Sequence, residues 1–474
     1  MEIRLEGHDA RYDVQSVCQL FFPGVSFGTD DGRELTSCFD ASLRVAAAYY
    51  RRGDRTFYVR DAGVPSVQDS DLAKIKRSVY RVLCEATGLS SPWGILTGIK
   101  PAVYYDRLRC TIGDGADELF RDCLGVQPEK IELCREVARV RAAAVSLLSP
   151  RRISLYISIP FCPSKCRYCS FVSSCTEREG KYVEPYLEAL KQEIVAKSAF
   201  ARRRGYEIVS VYIGGGTPGI LTPEQTDGLL KTLFAEADLS LLREFTFEAG
   251  RPDVITAPKL DVLRTYGIGR ICVNPQTLSD KVLYAVGRRH TAEQFYEAYN
   301  LASRKGFSIN VDTIAGLPKE TPESFADTYR RLTALDPDNL TLHSLYIKRA
   351  GELPVEDFDA LKKQTEQTGE MVRFAEGLCR NSGYIPYYLY RQKSTVGNHE
   401  NVGYARPGKE CLYNIFMMDD VQTVLALGAG AVSKFVRKGQ NPVRIGNSKF
   451  AYNYIKELEQ DLEKFDRAAG QVEI

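Results

Sequence analysis

From residue 154 onward the chain alternates between two hydrophobic patterns. Short apolar segments rich in β-branched residues recur at intervals, and stretches with apolar residues at helical spacing separate them. This alternation is typical of βα units, in which parallel strands are joined by helices. The predicted strands are SLYISI (154–159), IVSVYI (208–213), EFTFEA (244–249), RICVNP (270–275), SINVDTI (308–314) and NLTLHSLY (339–346).

Amphipathic helices are predicted between these strands. The helix over 182–200 has an apolar face formed by Val183, Leu187, Leu190 and Ile194. The other helices are expected to begin after four candidate N-cap threonines, Thr222, Thr256, Thr291 and Thr321. Six such units with right-handed crossovers predict an α/β fold, a partial (βα)6 barrel of parallel strands.

The alternation is absent from the start of the chain, which indicates a division into domains. The first 150 residues combine a strand-like segment at 55–61 with a mostly helical stretch at 127–148. The predicted parts are an N-terminal accessory α+β domain (1–150), the barrel (151–347) and a C-terminal domain (348–474).

Composition and charge fit a globular protein and argue against some partners. The 474 residues are 44% hydrophobic and 26% charged, which is ordinary for a chain with a sizeable core. The net charge of +2 offers no support for nucleic acid as the main partner. We see no apolar stretch long enough to span a membrane and no signal segment. The 13 cysteines, an odd number spread along the chain, indicate a reducing, cytoplasmic location.

Three cysteines directly follow the first predicted strand. Cys162, Cys166 and Cys169 lie in YISIPFCPSKCRYCSF (156–171), with gaps of three and two residues. Three thiolates this close can ligate three irons of an iron–sulfur cubane and leave the fourth iron open for chemistry. The alternatives are a zinc site completed by Cys175 or three structural cysteines, although zinc sites more often use paired CxxC or Cys/His spacings.

Glycine or polar residues follow the other predicted strands as well. In a parallel barrel the loops after the strands carry the reactive residues, so these residues should surround the cysteines. Glycine lets the backbone approach a ligand closely, and carboxylates accept hydrogen bonds from ammonium or ribose hydroxyl groups. A tight turn, a helix cap or a salt bridge is the alternative for each one. The residues are Gly214, Gly215, Gly216, Thr217, Glu248, Asn274, Gln276, Asp312, Tyr346 and Lys348.

Two arginine-containing segments differ in what they indicate. Arg288, in GRRH (287–290), could pair with a carboxylate of a ligand, and an exposed arginine at a helix start is the alternative. The run Arg202 to Arg204 is better explained as a helix end, where basic side chains interact favourably with the helix dipole.

Several of these residues lie in motifs of a known family. The motifs are CPSKCRYC with Tyr156 before it, YIGGGTP (212–218), FEAGRPD (247–253), VNPQTL (273–278), GRRHT (287–291), NVDTIAGLPKET (310–321) and ENVGYARPGKECLYN (400–414). Over roughly residues 150–474 the chain resembles the radical S-adenosylmethionine (SAM) superfamily. Within it, the chain resembles the oxygen-independent coproporphyrinogen III dehydrogenase (oxidase) group of the longer HemZ type.

The resemblance implies a [4Fe–4S] cluster ligated by Cys162, Cys166 and Cys169, with one or two SAM molecules. An electron from a donor such as flavodoxin or ferredoxin would cleave SAM to methionine and a 5′-deoxyadenosyl radical. Tyr156, Glu248 and Arg288 are expected to be catalytic. The positions at which the family binds SAM are Tyr156, Gly215, Gly216, Thr217, Glu248, Gln276, Arg288 and Asp312.

The resemblance also implies a step of haem biosynthesis. Propionate side chains of coproporphyrinogen III would lose CO₂ and become the vinyl groups of protoporphyrinogen IX, without oxygen. A tetrapyrrole with four carboxylates suits a pocket with cationic clamps and aromatic walls. The clamp candidates, for which solvated loop charges are the alternative, are Arg391, Lys393, Arg406 and Lys409.

Two residues depart from the better-known dehydrogenases of this group. Ser158 stands where they have histidine, and Phe171 stands where they have a fourth cysteine. A phenylalanine at the latter position also occurs in related haem chaperones, which keep the cluster. A haem chaperone, with an axial ligand such as His399 or His343, is therefore one alternative function. Another radical SAM reaction on a tetrapyrrole is a second alternative.

Overall fold

The computed structural model describes residues 1–64, 69–98, 100–346, 358–392, 395–437 and 439–472. The helices are α1 (Arg11–Phe21), α2 (Asp71–Thr87), α3 (Pro101–Ile112), α4 (Gly115–Glu118), α5 (Pro128–Val145), α6 (Thr176–Glu179), α7 (Val183–Arg203), α8 (Pro223–Glu236), α9 (Ala257–Thr265), α10 (Asp280–Ala285), α11 (Ala292–Arg304), α12 (Pro322–Ala334), α13 (Phe358–Asn381), α14 (Leu412–Asp419) and α15 (Ala451–Gly470). The strands are β1 (Glu2–Glu6), β2 (Arg33–Asp40), β3 (Val45–Arg52), β4 (Arg55–Asp61), β5 (Arg152–Ile159), β6 (Phe161–Cys162), β7 (Ser174–Cys175), β8 (Glu207–Gly215), β9 (Glu244–Gly250), β10 (Arg270–Val273), β11 (Ser308–Ala315), β12 (Asn339–Ser344), β13 (Ile385–Tyr390), β14 (Asn401–Ala405), β15 (Val424–Leu427), β16 (Val432–Phe435) and β17 (Val443–Gly446).

The six predicted barrel strands are confirmed as β5, β8, β9, β10, β11 and β12. They are neighbours in one sheet in the order of the sequence. The register places Tyr156 of β5 opposite Tyr212 of β8, and Arg270 of β10 opposite Ser308 of β11, in parallel pairs. The predicted α/β class with a partial (βα)6 barrel is therefore confirmed. Because parallel strands end at the same edge of a sheet, the loops that follow them are brought together.

The helix starts follow the predicted threonines. Thr222 and Thr291 each form a capping box, in which the hydroxyl accepts a bond from the third helical amide and a glutamine side chain bonds back. Thr321 caps α12 through the Ser324 amide, whereas the Thr256 side chain makes no capping bond. Among the residues described, no helix combines the length and apolar composition that a membrane span requires.

The sheet that contains the barrel strands is larger than predicted. It has eleven strands, in the order β13-β14-β12-β11-β10-β9-β8-β5-β15-β16-β17. β15 pairs in parallel with β5, with Val424 opposite Ser154, and β16 and β17 continue the sheet antiparallel. The pattern VLALGAGAVSKF (424–435) did not predict these strands, because its apolar segments are only four residues long and glycines interrupt them.

The N-terminal region has a separate sheet with the strand order β1-β2-β3-β4. β1 is parallel to β2, and the remaining pairs are antiparallel. Apolar faces of α1 and α2 contribute to its core, which includes Val14, Leu35, Tyr50, Val79 and Val82. The predicted α+β character of this region is confirmed.

Residue contacts divide the chain into two units, each built from segments that are not contiguous. The first unit comprises Met1–Arg139, Ser344–Phe374 and Leu389–Val402. The second unit comprises Val140–His343, Ala375–Tyr388 and Gly403–Ile474. The three sequence-based domains, with boundaries at 150 and 347, stay a prediction.

Candidate cofactor site

The cysteine loop (Cys162–Cys169) begins almost directly after β5, at the carboxyl edge of the barrel sheet. Cys166 is buried, and Cys162 and Cys169 are half-buried. The Cys169 amide donates to the Cys166 carbonyl at 3.1 Å, which closes a tight turn over the two-residue gap. The pairing of β6 with β7 places Cys175 opposite Cys162. The three cysteines and the alternative fourth ligand are therefore in one short region.

The glycine-rich loop after β8 packs directly against the cysteine loop. The Thr217 amide donates to the Phe161 carbonyl at 2.7 Å, and the Thr217 hydroxyl lies 3.5 Å from the Cys162 sulfur. A Cβ on Gly216 would come within 2.5 Å of the Phe161 carbonyl oxygen. Gly215 has a φ of 112°, which side-chain-bearing residues rarely adopt. Gly216 therefore lets this loop approach the backbone of Phe161, directly before Cys162.

Arg288 connects the cysteine loop to the end of β10. Its Nη1 donates to the Tyr168 hydroxyl at 2.9 Å and lies 4.0 Å from the Cys166 sulfur. Its Nη2 donates to the Asn274 carbonyl. The side chain is buried, so the alternative of an exposed arginine at a helix start is wrong. The Nε of Arg288 has no hydrogen-bond partner among the described residues, which leaves a donor for a bound group.

Glu248 of β9 has a strongly perturbed carboxyl group. Burial raises its pKa from 4.5 to about 8, and the nearby charge of Asp312 adds to this effect. The hydrogen bond from the Tyr212 hydroxyl, at 3.3 Å, only partly offsets it. A Cβ on Gly214 would lie 2.7 Å from the Glu248 oxygen, so glycine is needed there too. A positively charged ligand at this position would favour the ionised carboxylate.

Two amide side chains after β10 present oxygen atoms without partners. Gln276 has a φ of 69°, and its backbone bonds to the Asp312 carbonyl and the Ile314 amide. The Gln276 Oε1 and Asn274 Oδ1 atoms are buried and accept no hydrogen bond from the described residues. Because buried acceptors are normally satisfied, these atoms indicate a place for a ligand donor.

A stack of three tyrosine rings lies beside this region. Tyr413 lies 4.7 Å from Tyr212 and 6.1 Å from Tyr156 between ring centroids, with nearly parallel planes. Sequence reasoning named Tyr156 but missed the ring of Tyr413, although ECLYN (410–414) was part of a quoted motif. No local pattern indicates that a residue so distant in sequence stacks on β5 and β8.

Sequence reasoning also missed a buried arginine that contacts the cysteine loop. Arg251 follows β9 and donates from Nη1 to the Ser164 hydroxyl at 2.6 Å. Its Nε and Nη2 donate to the carboxylate of Asp253 at 2.9 and 2.6 Å. The motif FEAGRPD contained the signal, because an arginine two residues before an aspartate can form such a pair.

The two departures from the better-known dehydrogenases have different surroundings. Ser158 is buried, its hydroxyl donates to the Ala429 carbonyl at 3.0 Å, and its own carbonyl accepts from Tyr186. Phe171 is 69% exposed, two residues beyond the last cysteine of the loop.

The candidate substrate clamps already have partners within their own units. In the second unit Arg406 pairs with Asp336, and Lys409 lies 3.4 Å from Asp338. In the first unit Arg391 is buried and donates to the Asn398 carbonyl. Lys393 and Lys348 lie outside the described residues.

The two candidate axial histidines belong to different units. In the second unit His343 of β12 has its Nε2 atom 3.8 Å from an oxygen of Asp312. In the first unit His399 is buried, and burial lowers its pKa to about 4. The run Arg202 to Arg204 lies at the end of α7, as predicted.

The chain is similar to several known proteins. The model of the radical SAM superfamily matches residues 156–332. The oxygen-independent coproporphyrinogen-III oxidase-like protein HemZ of Bacillus subtilis is 34% identical, over 98% of this chain and 99% of its own. The heme chaperone HemW of Haemophilus influenzae is 30% identical over 66% of this chain and 80% of its own. The solved structure of coproporphyrinogen III oxidase (HemN) from Escherichia coli, a radical SAM enzyme, superposes with a TM-score of 0.52 at 27% identity, covering 69% of this chain and 73% of that one.

The chain is therefore a member of the radical SAM superfamily. Within it, the chain belongs to the family of oxygen-independent coproporphyrinogen-III oxidase-like proteins and heme chaperones. Membership implies a [4Fe–4S] cluster and SAM as cofactors.

The residues present fit these cofactors. Gln276, Asn274 and Arg288 have buried polar atoms without hydrogen-bond partners among the described residues, and these atoms can bind a polar ligand. In the part of the chain that the structure describes, no three His, Cys, Asp or Glu side chains are close enough to hold a single metal ion. A cubane, in contrast, takes each thiolate on a different iron atom.

Proposed function

We propose that this chain is a radical SAM oxidoreductase of anaerobic haem biosynthesis. Its reaction would be the oxidative decarboxylation of coproporphyrinogen III to protoporphyrinogen IX. The observation that carries the proposal is the convergence of the cysteine loop, the glycine loop after β8 and the perturbed Glu248 at one edge of the barrel sheet. The names of the HemZ and HemN relatives support the choice of substrate.

Each cofactor would be held by a distinct set of side chains. Cys162, Cys166 and Cys169 would ligate the cluster. When bound and supplied with one electron, the cluster and SAM provide the chemistry that removes a hydrogen atom from an unactivated carbon. The residues that would bind one or two SAM molecules are Tyr156, Gly215, Gly216, Thr217, Glu248, Gln276, Arg288 and Asp312.

Glu248 would act by accepting an ammonium group. In the free protein the pKa of Glu248 is about 8, because ionising a buried carboxyl group is unfavourable. A bound cation would offset this unfavourable free energy, so the ionised carboxylate would form readily beside an ammonium group. Arg288, with its unpaired Nε, would donate to a carboxylate. The amino and carboxylate groups of SAM supply both charges.

The test is anaerobic incubation of the reconstituted protein with SAM, dithionite and coproporphyrinogen III, followed by mass analysis. We expect the product to lose two CO₂ and four hydrogen atoms, together with two methionine and two 5′-deoxyadenosine, when a one-electron acceptor is added to take the electron that each propionate releases with its CO₂. Cys162→Ser should abolish SAM cleavage, whereas Cys110→Ser, at an exposed cysteine outside the loop, should not. SAM cleavage without any change in the tetrapyrrole would contradict the decarboxylation and leave the radical SAM assignment standing. A changed product of another mass would indicate a different reaction on the tetrapyrrole.

A second candidate function is haem binding and transfer. Phe171 favours it, since this aromatic ring is largely exposed beside the cysteine loop, and a heme chaperone is among the relatives. A chaperone should bind haem stoichiometrically and give a Soret band that is lost in His343→Ala or His399→Ala. Haem binding without turnover of coproporphyrinogen III would favour this function over the first.

A further inference from the structure

The cysteine loop is held by side chains from three neighbouring strand ends. Thr217, after β8, approaches Cys162, and Arg288, anchored on the carbonyl after β10, approaches Cys166. Arg251, after β9, is the third, but it does not contact a cysteine. It bonds instead to Ser164, midway between the first two cysteines. Each part of the loop is thus tied to a different strand of the barrel.

The contact between Arg251 and Ser164 is enclosed by protein. Arg251 is 3% exposed and Ser164 is 7% exposed. The carboxylate of Asp253 takes two of the guanidinium donors and leaves Nη1 aimed at the Ser164 hydroxyl. A guanidinium can make both contacts at once because its donors form a rigid planar fork. The ammonium of a lysine cannot reproduce this geometry.

We propose that Arg251 is a positioning residue for the iron–sulfur cluster. By holding Ser164, it would restrict the movement of the loop that carries Cys162 and Cys166, so less loop entropy would be lost when the cluster binds. This inference rests on the cluster of the proposed function and not on the reaction with coproporphyrinogen. Groups that orient metal ligands without touching the metal commonly change metal affinity by about 10- to 100-fold.

The experiment measures cluster retention in anaerobically reconstituted full-length protein. Ferrous iron and sulfide are the reagents, and the rate of iron release to a chelator is followed by absorbance. We expect Ser164→Ala and Arg251→Gln each to release iron about tenfold faster than the wild type and to change the EPR signal of the reduced cluster. Arg251→Lys should behave like Arg251→Gln, because charge alone does not restore the bond to Ser164.

A double variant tests whether Arg251 affects the rate of iron release by way of its hydrogen bond to Ser164. If it does, Ser164→Ala combined with Arg251→Gln should release iron no faster than Arg251→Gln alone. The matched control is Ser170→Ala, at an exposed serine directly after the last cysteine, which should keep the wild-type rate. Circular dichroism and thermal unfolding separate cluster loss from misfolding, and Ser164→Ala removes only one hydroxyl.

Three results would overturn the inference. The first is wild-type iron release and EPR signal in both single variants. The second is a double variant whose effect is the product of the two single effects, since Arg251 would then act independently of Ser164. The third is a wild-type protein that binds no cluster, which would also remove the cofactor of the proposed function; in the first two cases that function stands.

Discussion

Two buried glutamates, one in each unit, have opposite electrostatic surroundings. In the first unit Glu400 is 1% exposed, lies 2.6 Å from the Lys130 ammonium and accepts a bond from the Trp93 indole at 2.7 Å. Burial alone would raise its pKa, but the charge of Lys130 outweighs burial and brings the value to about 2. In the second unit Glu248 has a tyrosine hydroxyl as partner and faces Asp312, and its pKa is about 8.

The difference in pKa distinguishes the roles of the two side chains: Glu400 stabilises the fold, and Glu248 is available to bind a ligand. Glu400 is fully paired within the protein, so it has no need of another partner. Glu248 has no ion pair that outweighs its burial, so it stays protonated up to about pH 8, and such perturbed carboxyls are common at functional sites. Burial alone therefore does not identify the functional residue; the lack of a cation that outweighs burial does.

The largest effect is expected from breaking the paired glutamate. Lys130→Met leaves the Glu400 charge buried without its cation, so the free energy of unfolding should fall by about 3–5 kcal/mol. Urea unfolding followed by fluorescence measures this directly, because Trp93 is the only tryptophan and contacts Glu400. At pH 5, where the Glu248 side chain of the folded protein is neutral, Glu248→Gln should change stability by less than about 1 kcal/mol. If the free energy of unfolding falls equally in Lys130→Met and Glu248→Gln, the proposed difference between Glu400 and Glu248 is wrong.

A smaller effect is expected on ligand affinity when Glu248 is neutralised. Glu248→Gln should weaken SAM binding about tenfold to a hundredfold, the range of a lost charge-assisted hydrogen bond. Equilibrium dialysis of the anaerobically reconstituted protein with labelled SAM provides the measurement. The matched control is Glu207→Gln. Glu207 is the first residue of β8, at the end of the strand away from the glycine loop, so this variant should bind SAM as the wild type does. Unchanged affinity in Glu248→Gln would show that this carboxyl does not contact the cofactor.

A third effect is a difference in pH dependence, of up to about 1.4 kcal/mol for each pH unit between 4.5 and 8. The folded protein keeps a proton on Glu248 up to about pH 8, whereas the unfolded chain releases it near pH 4.5. The contribution of Glu248 to stability is therefore fully present below pH 4.5 and is lost as the pH rises through 8. Glu400 behaves oppositely: its contribution is present above pH 4.5 and is lost as the pH falls through about 2.

Urea unfolding of the wild type and Glu248→Gln at several pH values between 5 and 8 tests the direction of this pH dependence. The free energy of unfolding of the wild type should decline relative to that of the variant over this range. Parallel curves would mean that Glu248 titrates normally in the folded protein.

The barrel was predictable because its signals are local. The strand over 154–159 and the helix start at Thr222 depend on neighbouring residues, through apolar pattern and capping chemistry. Gly215 and Gly216 were predicted to let the backbone approach a ligand, whereas the structure shows that a Cβ at these positions would meet Ser158 and Ile159 of β5 and the backbone of Phe161. Patterns of this kind depend only on residues that are close together in the chain, so they can be recognised without knowing the fold.

The parts that were missed depend on contacts between distant segments. Tyr413 stacks on Tyr212, and Arg251 reaches Ser164, only after the strands are assembled. The partners of Glu400 could not be inferred either, because a salt bridge with Lys130 requires the first unit to be folded. A charged residue in a sequence does not reveal whether its counter-ion will be nearby.

The pairing of β5 with β15 has a consequence for how the chain folds during synthesis. β8 to β12 can be added one after another to the growing sheet, because each pairs with the strand made before it. The other edge of β5, however, stays open until residues 424–427 have left the ribosome. An open strand edge is a template for pairing with other chains. Pairing with residues 424–427 should therefore protect the first barrel strand from aggregation, and chains truncated before Val424 should be prone to it.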